Sequence, residues 1–326
     1  SGASPNVYAA HAATRPAYMA GNRRFTGSTF VISGATPLHI TEQIYLDTLK
    51  AITIKGVNGG NLTAMRTVTG FTQVDSVNYP KVWKVTGTKF GGVFNHNLAV
   101  GGTRNGTDLG YIYASNEAEA LPLLNASDGL CWGSNDGLNW YVSLSTNPNL
   151  DTYEAGTFVP AIGTAPGLIT VREALVKDLS FRGCQIVDNS IGGMASQYCF
   201  GVGNPGGGVL SGVVIVDNCQ MEEGSYHNMG SVGNGLSASM ILINCTIGER
   251  HPRGTGVDDV VSYTGGTADG NTMVWFECYN VVAQDGFLLH TATNNAAVFA
   301  GGMTDCTGNQ NFDPSVLLPG KFVVTP

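Results

Sequence analysis

Short segments in which apolar and polar residues alternate recur along most of the chain and end at a glycine or a cysteine. The clearest pair lies at residues 50–57 and 177–184. Both segments read Lys, any residue, apolar, hydroxyl, apolar, basic, Gly, small apolar. A period of two that ends in glycine predicts a strand with one buried face, followed by a tight turn.

The same phrase returns with a cysteine near its end. Counted from Cys184, the intervals between these cysteines are 35, 26, 33 and 28 residues, a spacing typical of stacked supersecondary units. A second series of strands begins near Gly193, Met229, Val260 and Phe287, so each unit has at least two strands. The pattern predicts a parallel β-solenoid whose loops absorb the variation in length. The cysteine segments are 214–221, 240–247, 273–281 and 298–306.

The recurring cysteines are predicted to be buried side chains of the hydrophobic core. Cysteine behaves as a small buried hydrophobe, and equivalent positions in successive coils would stack into an internal ladder. In such a ladder the Cβ atoms lie a little farther apart than a disulfide prefers, so we expect free thiols. The predicted ladder contains Cys184, Cys219, Cys245, Cys278 and Cys306.

Composition agrees with an all-β chain and excludes some partners. Of the 326 residues, 43% are hydrophobic, only 12% are charged, and 45 are glycine. A net charge of −8 would repel a phosphate backbone, so we expect no nucleic-acid partner. The apolar runs end after a few residues, against about 20 needed to span a bilayer, so we expect no membrane segment.

The strand phrases, with Asp-Gly-Phe at 285–287 and Asp-Asp-Val at 258–260, resemble the right-handed parallel β-helix superfamily typified by pectate lyases. The resemblance covers residues 26–60 and 171–312. That superfamily includes polysaccharide lyases, glycoside hydrolases and viral tailspikes that cut surface glycans. The resemblance therefore implies a polysaccharide or cell-surface glycan as partner and an extracellular or virion-surface location, and it permits a homotrimer.

The chain divides into five parts by this interpretation. The stretch between the two lysine phrases is too long for one loop, and its alternating segments predict an inserted β-rich subdomain, as several β-helix glycosidases and lyases carry. One stretch within it, residues 114–124, is compatible with a short helix. The parts are an N-terminal arm (1–25), first coils (26–75), the inserted subdomain (76–170), main coils (171–312) and a C-terminal tail or cap (313–326).

Candidate catalytic residues follow from aligning the second series of strands. The alignment places His227, Asp258 and Asp285 in one column, each two residues before its strand. Carboxyl groups about 5–5.5 Å apart suit a retaining glycosidase, and a separation of about 6.5–9.5 Å suits an inverting one. Adjacent carboxylates also raise one pKa, which supplies a general acid. Tyr263 and His290 would lie beside the column as proton donors. The alternative is that both aspartates only form turns and the histidine is structural.

Two further sets of residues are candidates for substrate binding, and a third could hold calcium. The loop Glu249-Arg250-His251-Pro252-Arg253 could hold a sugar carboxylate, or its arginines could pair with Glu222 and Glu223. We expect no cofactor and no metal, although an elimination mechanism would add calcium, with Glu222, Glu249 and Asp258 as available ligands. Trp132 and Trp140 could stack on sugar rings or could fill the core of the inserted subdomain.

The sequence thus predicts a protein that processes a complex glycan by hydrolysis or lyase elimination, in the manner of a tailspike-type depolymerase. The alternative is a non-catalytic glycan-binding adhesin or a structural β-helix module, because a solenoid can act as a scaffold without an active site.

Overall fold

A computed structural model describes most of the chain. The described residues are 25–34, 36–41, 44–46, 49–87, 102–112, 114–134, 138–156, 169–171, 173–182, 198–203, 213–222, 227–232, 239–248, 260–264, 273–284, 286–291 and 298–326. Strands predominate, and they are numbered here along the chain. Three sheets are parallel, and two smaller sheets belong to the inserted subdomain.

The first sheet has eight parallel strands, each hydrogen-bonded to the strand that occupies the same place in the next repeat. Alternate residues of its strands are fully buried, as the period-two pattern predicts. In spatial order the strands are β1 (Thr29–Ser33), β4 (Ile52–Val57), β16 (Ala174–Lys177), β19 (Val213–Asp217), β22 (Ser239–Ile243), β25 (Met273–Tyr279), β28 (Val298–Thr304) and β30 (Leu317–Thr325).

The second and third sheets are also parallel and keep the same order of repeats. The second sheet contains β2 (Leu38–His39), β5 (Asn61–Thr63), β17 (Ser180–Arg182), β20 (Gln220–Glu222), β23 (Thr246–Ile247) and β26 (Val282–Ala283). The third sheet contains β3 (Ile44–Leu46), β15 (Ile169–Val171), β18 (Tyr198–Gly203), β21 (His227–Val232), β24 (Val260–Thr264), β27 (Phe287–Thr291) and β29 (Gln310–Phe312).

The chain visits the three sheets in a fixed order, first, second, third, and one such passage is called a coil here. Coil 1 holds β1, β2 and β3, coil 3 begins at β16, and coil 7 begins at β28. A single apolar cluster runs between the three sheets through all the coils, from Ile40 to Met303. The mostly β composition and the long parallel sheets are consistent with a parallel β-helix.

The two lysine phrases pair in a different register from the predicted one. Lys177 lies opposite Lys55, not Lys50, and Ser180 lies opposite Asn61. Between these two pairs coil 2 has five residues, 56–60, whereas coil 3 has only residues 178–179. At Gly56, in β4, a Cβ atom would lie 1.8 Å from the carbonyl oxygen of Asp178, so the close approach of coils 2 and 3 requires glycine at this position.

The cysteine ladder is correct for three of the described cysteines and wrong for Cys278. Backbone hydrogen bonds between successive coils show which residues are aligned. Thr246 N, just after Cys245, donates to Cys219 O at 3.0 Å, and Val282 N, just after Val281, donates to Cys245 O at 3.0 Å. The column continues through Val281 to Cys306, because Thr307 N donates to Val281 O at 2.9 Å. Cys278 lies one column away, between Leu242 and Met303 of the first sheet. Cys184 lies outside the described residues.

The turn from the first to the second sheet carries a ladder that the sequence interpretation missed. Five residues at this turn adopt left-handed φ values between 49° and 57°. Asn and Asp tolerate this conformation better than other residues with a Cβ. Asn218 Nδ2 donates to Asp178 Oδ1, and Asn280 Nδ2 donates to Asn244 Oδ1, both at 2.9 Å. The ladder consists of Asp178, Asn218, Asn244, Asn280 and Asp305.

The inserted subdomain lies between β5 and β15, within coil 2, and its strands begin at Met65, ahead of the predicted boundary at residue 76. Its four-stranded sheet is antiparallel and its five-stranded sheet is mostly so. The former contains β6 (Met65–Val68), β9 (Gly102–Arg104), β10 (Thr107–Asp108) and β14 (Tyr153–Gly156); the latter contains β7 (Thr72–Asp75), β8 (Tyr79–Thr86), β11 (Gly110–Tyr111), β12 (Leu130–Gly133) and β13 (Asn139–Ser143).

The predicted short helix is present as α1 (Glu117–Ala126). Its N-terminus is capped on both sides: Glu119 N donates to Asn116 Oδ1 at 3.0 Å, and Ser115 N donates to Glu119 Oε2 at 2.8 Å. Two short 3₁₀ helices, Pro148–Leu150 and Pro314–Val316, follow later in the chain. Across the part of the chain that the structure describes, no helix has the length and apolar character to cross a bilayer.

Candidate functional site

The corner at which the chain passes from the second to the third sheet differs from the other end of the second sheet. The turns that follow the first-sheet strands in coils 3 to 7 are short and uniform, and each contains a residue of the Asn and Asp ladder. At the second-to-third corner the connections vary from three residues between β26 and β27 to fifteen between β17 and β18. The inserted subdomain also leaves and returns at this corner, since it connects β5 to β15. Long, variable connections on a regular scaffold are typical of functional sites.

The strand alignment behind the predicted catalytic column is confirmed. Met229 lies opposite Val260, and Val260 lies opposite Phe287, in three consecutive coils. His227 is the first residue of β21, two positions before Met229. Asp258 and Asp285 precede the other two aligned residues by the same two positions but lie outside the described residues. Their role in a column with His227 therefore stays a prediction.

The second predicted pair is also in register along the backbone. Tyr263 of β24 lies directly opposite His290 of β27. Parallel strands place such partners about 4.8 Å apart. The structure thus brings these two positions together at the third sheet, as the alignment predicts, while their roles as proton donors stay predictions.

The outer surface of the second sheet, beside this corner, is polar. In β17 the side chains of Ser180 and Arg182 are partly exposed, while Phe181 between them is fully buried. The neighbouring coils repeat the buried central position in register, with Leu62 and Met221, and have polar residues on either side of it; of these, Thr63 is itself buried, at 3% exposure. Stacking therefore produces two polar rows, together called the polar face here. One row contains Asn61, Ser180, Gln220 and Thr246, and the other contains Thr63, Arg182 and Glu222.

Arg182 joins the polar face to the inserted subdomain. Its Nη1 donates to Glu154 Oε2 of β14 at 2.9 Å, and its backbone oxygen accepts from Ala64 N at 2.9 Å. Thr103 Oγ1 also donates to Glu154 Oε2, at 3.5 Å. The two charged side chains remain 23% and 27% exposed, and a pair this accessible contributes at most about 1 kcal/mol. The pair therefore acts mainly to position the subdomain against the polar face.

Glu222 extends the charged row into the next coil. It lies opposite Arg182, and its Oε1 accepts a short hydrogen bond from Gln220 Nε2. Gly248 makes room for it, because a Cβ at that position would lie 3.1 Å from Glu222 Cγ. Charges of alternating sign thus follow one another at the corner: Glu154, Arg182, Glu222. A carboxylate accepts hydrogen bonds from sugar hydroxyls, and a guanidinium can hold a sugar carboxylate.

One polar atom at the end of the other row is buried without a partner. Asn61 Oδ1 has no solvent-accessible surface and accepts no hydrogen bond from the residues that the structure describes. Buried carbonyl oxygens are nearly always hydrogen-bonded, so this oxygen is available to accept a hydrogen bond from a ligand. It lies in the row of Ser180 and Gln220, next to the point at which the inserted subdomain leaves coil 2.

The two predicted tryptophans occupy the core of the inserted subdomain. Trp132 and Trp140 are each 1% exposed. Trp132 Nε1 donates to Ala114 O at 3.2 Å, and its ring lies 5.2 Å from that of Tyr141. Trp140 packs against Phe71, with ring centroids 6.1 Å apart. Neither ring is open to a sugar, so both side chains fill the core, the second of the two predicted roles.

The predicted anion-binding loop lies between Gly248 and Val260 in the sequence, within the segment that connects β23 to β24. Glu249, Arg250, His251 and Arg253 are outside the described residues, and both interpretations of this loop stay predictions. Within the described ranges, no group of three His, Cys, Asp or Glu side chains is arranged to hold a metal ion.

Sequence reasoning overlooked Arg182 and Glu154 as site residues. A signal was available for Arg182, because the alternation in residues 180–182 places a basic side chain on the outer face of a predicted strand. No comparable signal marked Glu154, since its contact with Arg182 joins the inserted subdomain to a coil and depends on how the two fold together.

Comparison with known proteins gives little further guidance. No known family and no curated protein matches the chain. Among solved structures, the chain is similar to that of XylC in complex with xylose, with 11% sequence identity over 87% of this chain and a TM-score of 0.38. The match spans 61% of the length of XylC. Similarity at this level supports no inference about activity, so the fold and the corner define this chain only as an all-β protein with stacked parallel strands.

Proposed function

We propose that the protein is a right-handed parallel β-helix that binds a polysaccharide at the second-to-third corner and cleaves a glycosidic bond there. The observation that supports the proposal is that the polar face contacts the inserted subdomain beside this corner. The segments that contain Asp258 and Asp285 connect the second sheet to the third in the sequence. The right-handed sense follows the strong general preference of parallel strand crossovers.

The polar face suits a sugar chain in its chemistry and its extent. Its hydroxyl, amide, carboxylate and guanidinium groups match the donors and acceptors of a saccharide. The rows repeat once per coil, about every 4.8 Å, so three or four coils offer contacts to several neighbouring sugar units. Arg182, with Arg250 and Arg253 in the adjoining loop, favours a polysaccharide that contains carboxylated sugars.

The proposed chemistry uses Asp258 and Asp285 as the acid and the base or nucleophile. The register of Val260 with Phe287 places their strands in adjacent coils, about 4.8 Å apart. That spacing is close to the 5–5.5 Å separation of carboxyl groups in retaining glycosidases. His227, Tyr263 and His290 would donate protons or hydrogen bonds to the sugar.

The test is turnover on a panel of neutral and carboxylated polysaccharides, with two readouts. Hydrolysis releases reducing ends alone, whereas elimination also produces an unsaturated sugar that absorbs ultraviolet light. We expect reducing ends without the unsaturated product. In Asp258→Asn and in Asp285→Asn, we expect turnover to fall at least about 100-fold, the usual contribution of a positioned acid or base.

Asp305→Asn is the matched control, because Asp305 lies at the opposite end of the second sheet and asparagine accepts its left-handed φ. Full activity in both corner variants would contradict the catalytic assignment. Binding of a panel member without any cleavage by the unaltered protein would instead identify a glycan-binding adhesin.

A further inference from the structure

The outer surface of the first sheet carries a second apolar cluster. In β22, Met240 and Leu242 belong to the interior cluster of the stack, and Ile241 and Ile243, which alternate with them, belong to a separate one. This separate cluster extends over β19, β22, β25 and β28 and is called the outer cluster here. It contains Val213, Ile241, Ile243, Trp275, Tyr279 and Ala300, and Phe25 and Ile215 pack against it.

The outer cluster is shielded from solvent, although it lies on the face of the sheet that points away from the interior. Its members are at most 6% exposed. The end of the same sheet is different, because Val323 of β30, which lies opposite Gly302, is 59% exposed. An outer face loses its exposed area only where other atoms pack on it. A segment of the chain therefore covers the middle of the first sheet, from β19 to β28.

A buried carboxylate lies in the same surface. Glu277 of β25 is 1% exposed and alternates with Trp275 and Tyr279 of the outer cluster. Its neighbours across the sheet are Ile241 and Gly302, which have no side-chain donor. A carboxylate this deeply buried is stable only beside a cation or several hydrogen-bond donors. The covering segment is therefore expected to be mainly apolar and to bring at least one cationic side chain.

We propose that the N-terminal arm, residues 1–24, is this covering segment and that one of its arginines is the cation beside Glu277. The arm directly precedes Phe25, which already packs against the outer cluster. The chain ahead of Phe25 therefore starts at the surface that needs a cover.

The composition and the length of the arm match that surface. Apolar residues alternate with alanine through most of it, and its charged residues are three arginines, Arg15, Arg23 and Arg24, with no acidic residue. The four strands of the outer cluster span about 14 Å at the usual spacing of parallel strands. A chain of 24 residues reaches about 36 Å as a helix and about 80 Å when extended, so the arm can cross the outer cluster in either conformation.

The first experiment locates the arm in the full chain. The photo-reactive residue p-benzoylphenylalanine replaces Tyr8 or Tyr18, one at a time, and cross-linked peptides are identified by mass spectrometry after irradiation. We expect cross-links to β22, β25 or β28 of the same chain, which a mixture of ¹⁵N-labelled and unlabelled protein distinguishes from cross-links between copies. The same probe at Leu150, which is 85% exposed in the inserted subdomain, is the control and should not reach these strands. The proposal is overturned if neither arm position reaches the first sheet of its own chain, as when the connections from the third sheet to the first cover the outer cluster instead.

The second experiment tests the cation. Glu277→Gln is combined in separate double-mutant cycles with Arg15→Gln, Arg23→Gln and Arg24→Gln, and the equilibrium constant of unfolding in urea is measured. For at least one arginine we expect a coupling of at least about fivefold. Lys177→Gln is the control without coupling, because Lys177 lies in coil 3 and pairs with Asp178 at 3.5 Å. A coupling below about fivefold in all three cycles would overturn the pairing with Glu277. The cross-linking result requires no change at Glu277, so it stands even if Glu277→Gln does not fold.

Discussion

The stack of coils and the inserted subdomain bury their apolar residues in different ways. In the stack, one apolar cluster runs through the coils, and its buried residues lie in register from one coil to the next. In the subdomain, two small clusters lie on either side of a sheet, and large aromatic rings such as Trp132, Trp140 and Tyr153 fill them. The stack is therefore stabilised by repetition and the subdomain by a few large side chains. Destabilising substitutions in the two regions should therefore differ in how far their effects spread through the molecule.

The largest effect is expected where two coils meet without space for a side chain. In Gly56→Ala the added Cβ would lie 1.8 Å from Asp178 O, so coils 2 and 3 must separate. We expect the free energy of unfolding in urea to fall by more than about 4 kcal/mol.

Gly59→Ala is the matched control for Gly56→Ala. Its Cβ would meet no atom within 4 Å, although φ is +77°, so only strain of about 1–2 kcal/mol is expected. Equal losses in the two variants would show that coils 2 and 3 are not in the contact described here.

The next effect compares one large core residue from each region. Trp140→Ala and Phe181→Ala each remove a fully buried aromatic ring and should each lower the free energy of unfolding by about 3–5 kcal/mol. Limited proteolysis should distinguish the two variants. Trp140→Ala should make only the inserted subdomain more susceptible to cleavage, whereas Phe181→Ala should make coil 3 and its two neighbouring coils more susceptible. Cleavage of the stack in Trp140→Ala would contradict this separation.

The sequence predicted the stack better than the subdomain, for a physical reason. Every coil must present apolar side chains to the same interior, so the period-two pattern placed Met229, Val260 and Phe287 in their observed register. In the subdomain, pairs such as Trp132 with Tyr141 come from an antiparallel strand pairing, and the sequence has no repeat from which that pairing could be predicted. The helix α1 was predictable because its capping residues are local in the sequence.

The error at Cys278 has a specific cause. Three described cysteines follow a left-handed Asn or Asp directly, as Cys219 follows Asn218 and Cys245 follows Asn244. Cys278 instead precedes the turn residue Asn280 by two positions. An alignment on the turn residues, rather than on the cysteines, would have given the observed columns, because the left-handed conformation fixes the register.

A smaller effect is expected in the ladder of turn residues. Asn244→Ala keeps the left-handed φ of 51° but loses the residue type that tolerates it, together with the hydrogen bond from Asn280. We expect a loss of about 1–2 kcal/mol in thermal or urea unfolding. Asn244→Gly also loses the hydrogen bond but avoids the strain, so it should be more stable than Asn244→Ala; the opposite order would contradict the role assigned to the left-handed conformation.

The smallest effect is expected at the contact between the two regions. Arg182→Gln and Glu154→Gln should each change the free energy of unfolding by less than about 1 kcal/mol, because the pair is partly exposed. A double-mutant cycle measures the coupling between the two residues, and added salt should reduce it. A coupling of several kcal/mol would show that the pair stabilises the fold and does not merely position the subdomain.

The most direct test of the proposed glycan site is hydrogen–deuterium exchange of the Asp258→Asn, Asp285→Asn double variant with and without a bound polysaccharide. Backbone amides become protected where a ligand covers them, whatever the chemistry of cleavage. Protection is predicted at the ends of β17, β20 and β23, at the starts of β21 and β24, and in β14, which faces Arg182. Protection confined to the outer surface of the first sheet would contradict the assignment of the second-to-third corner.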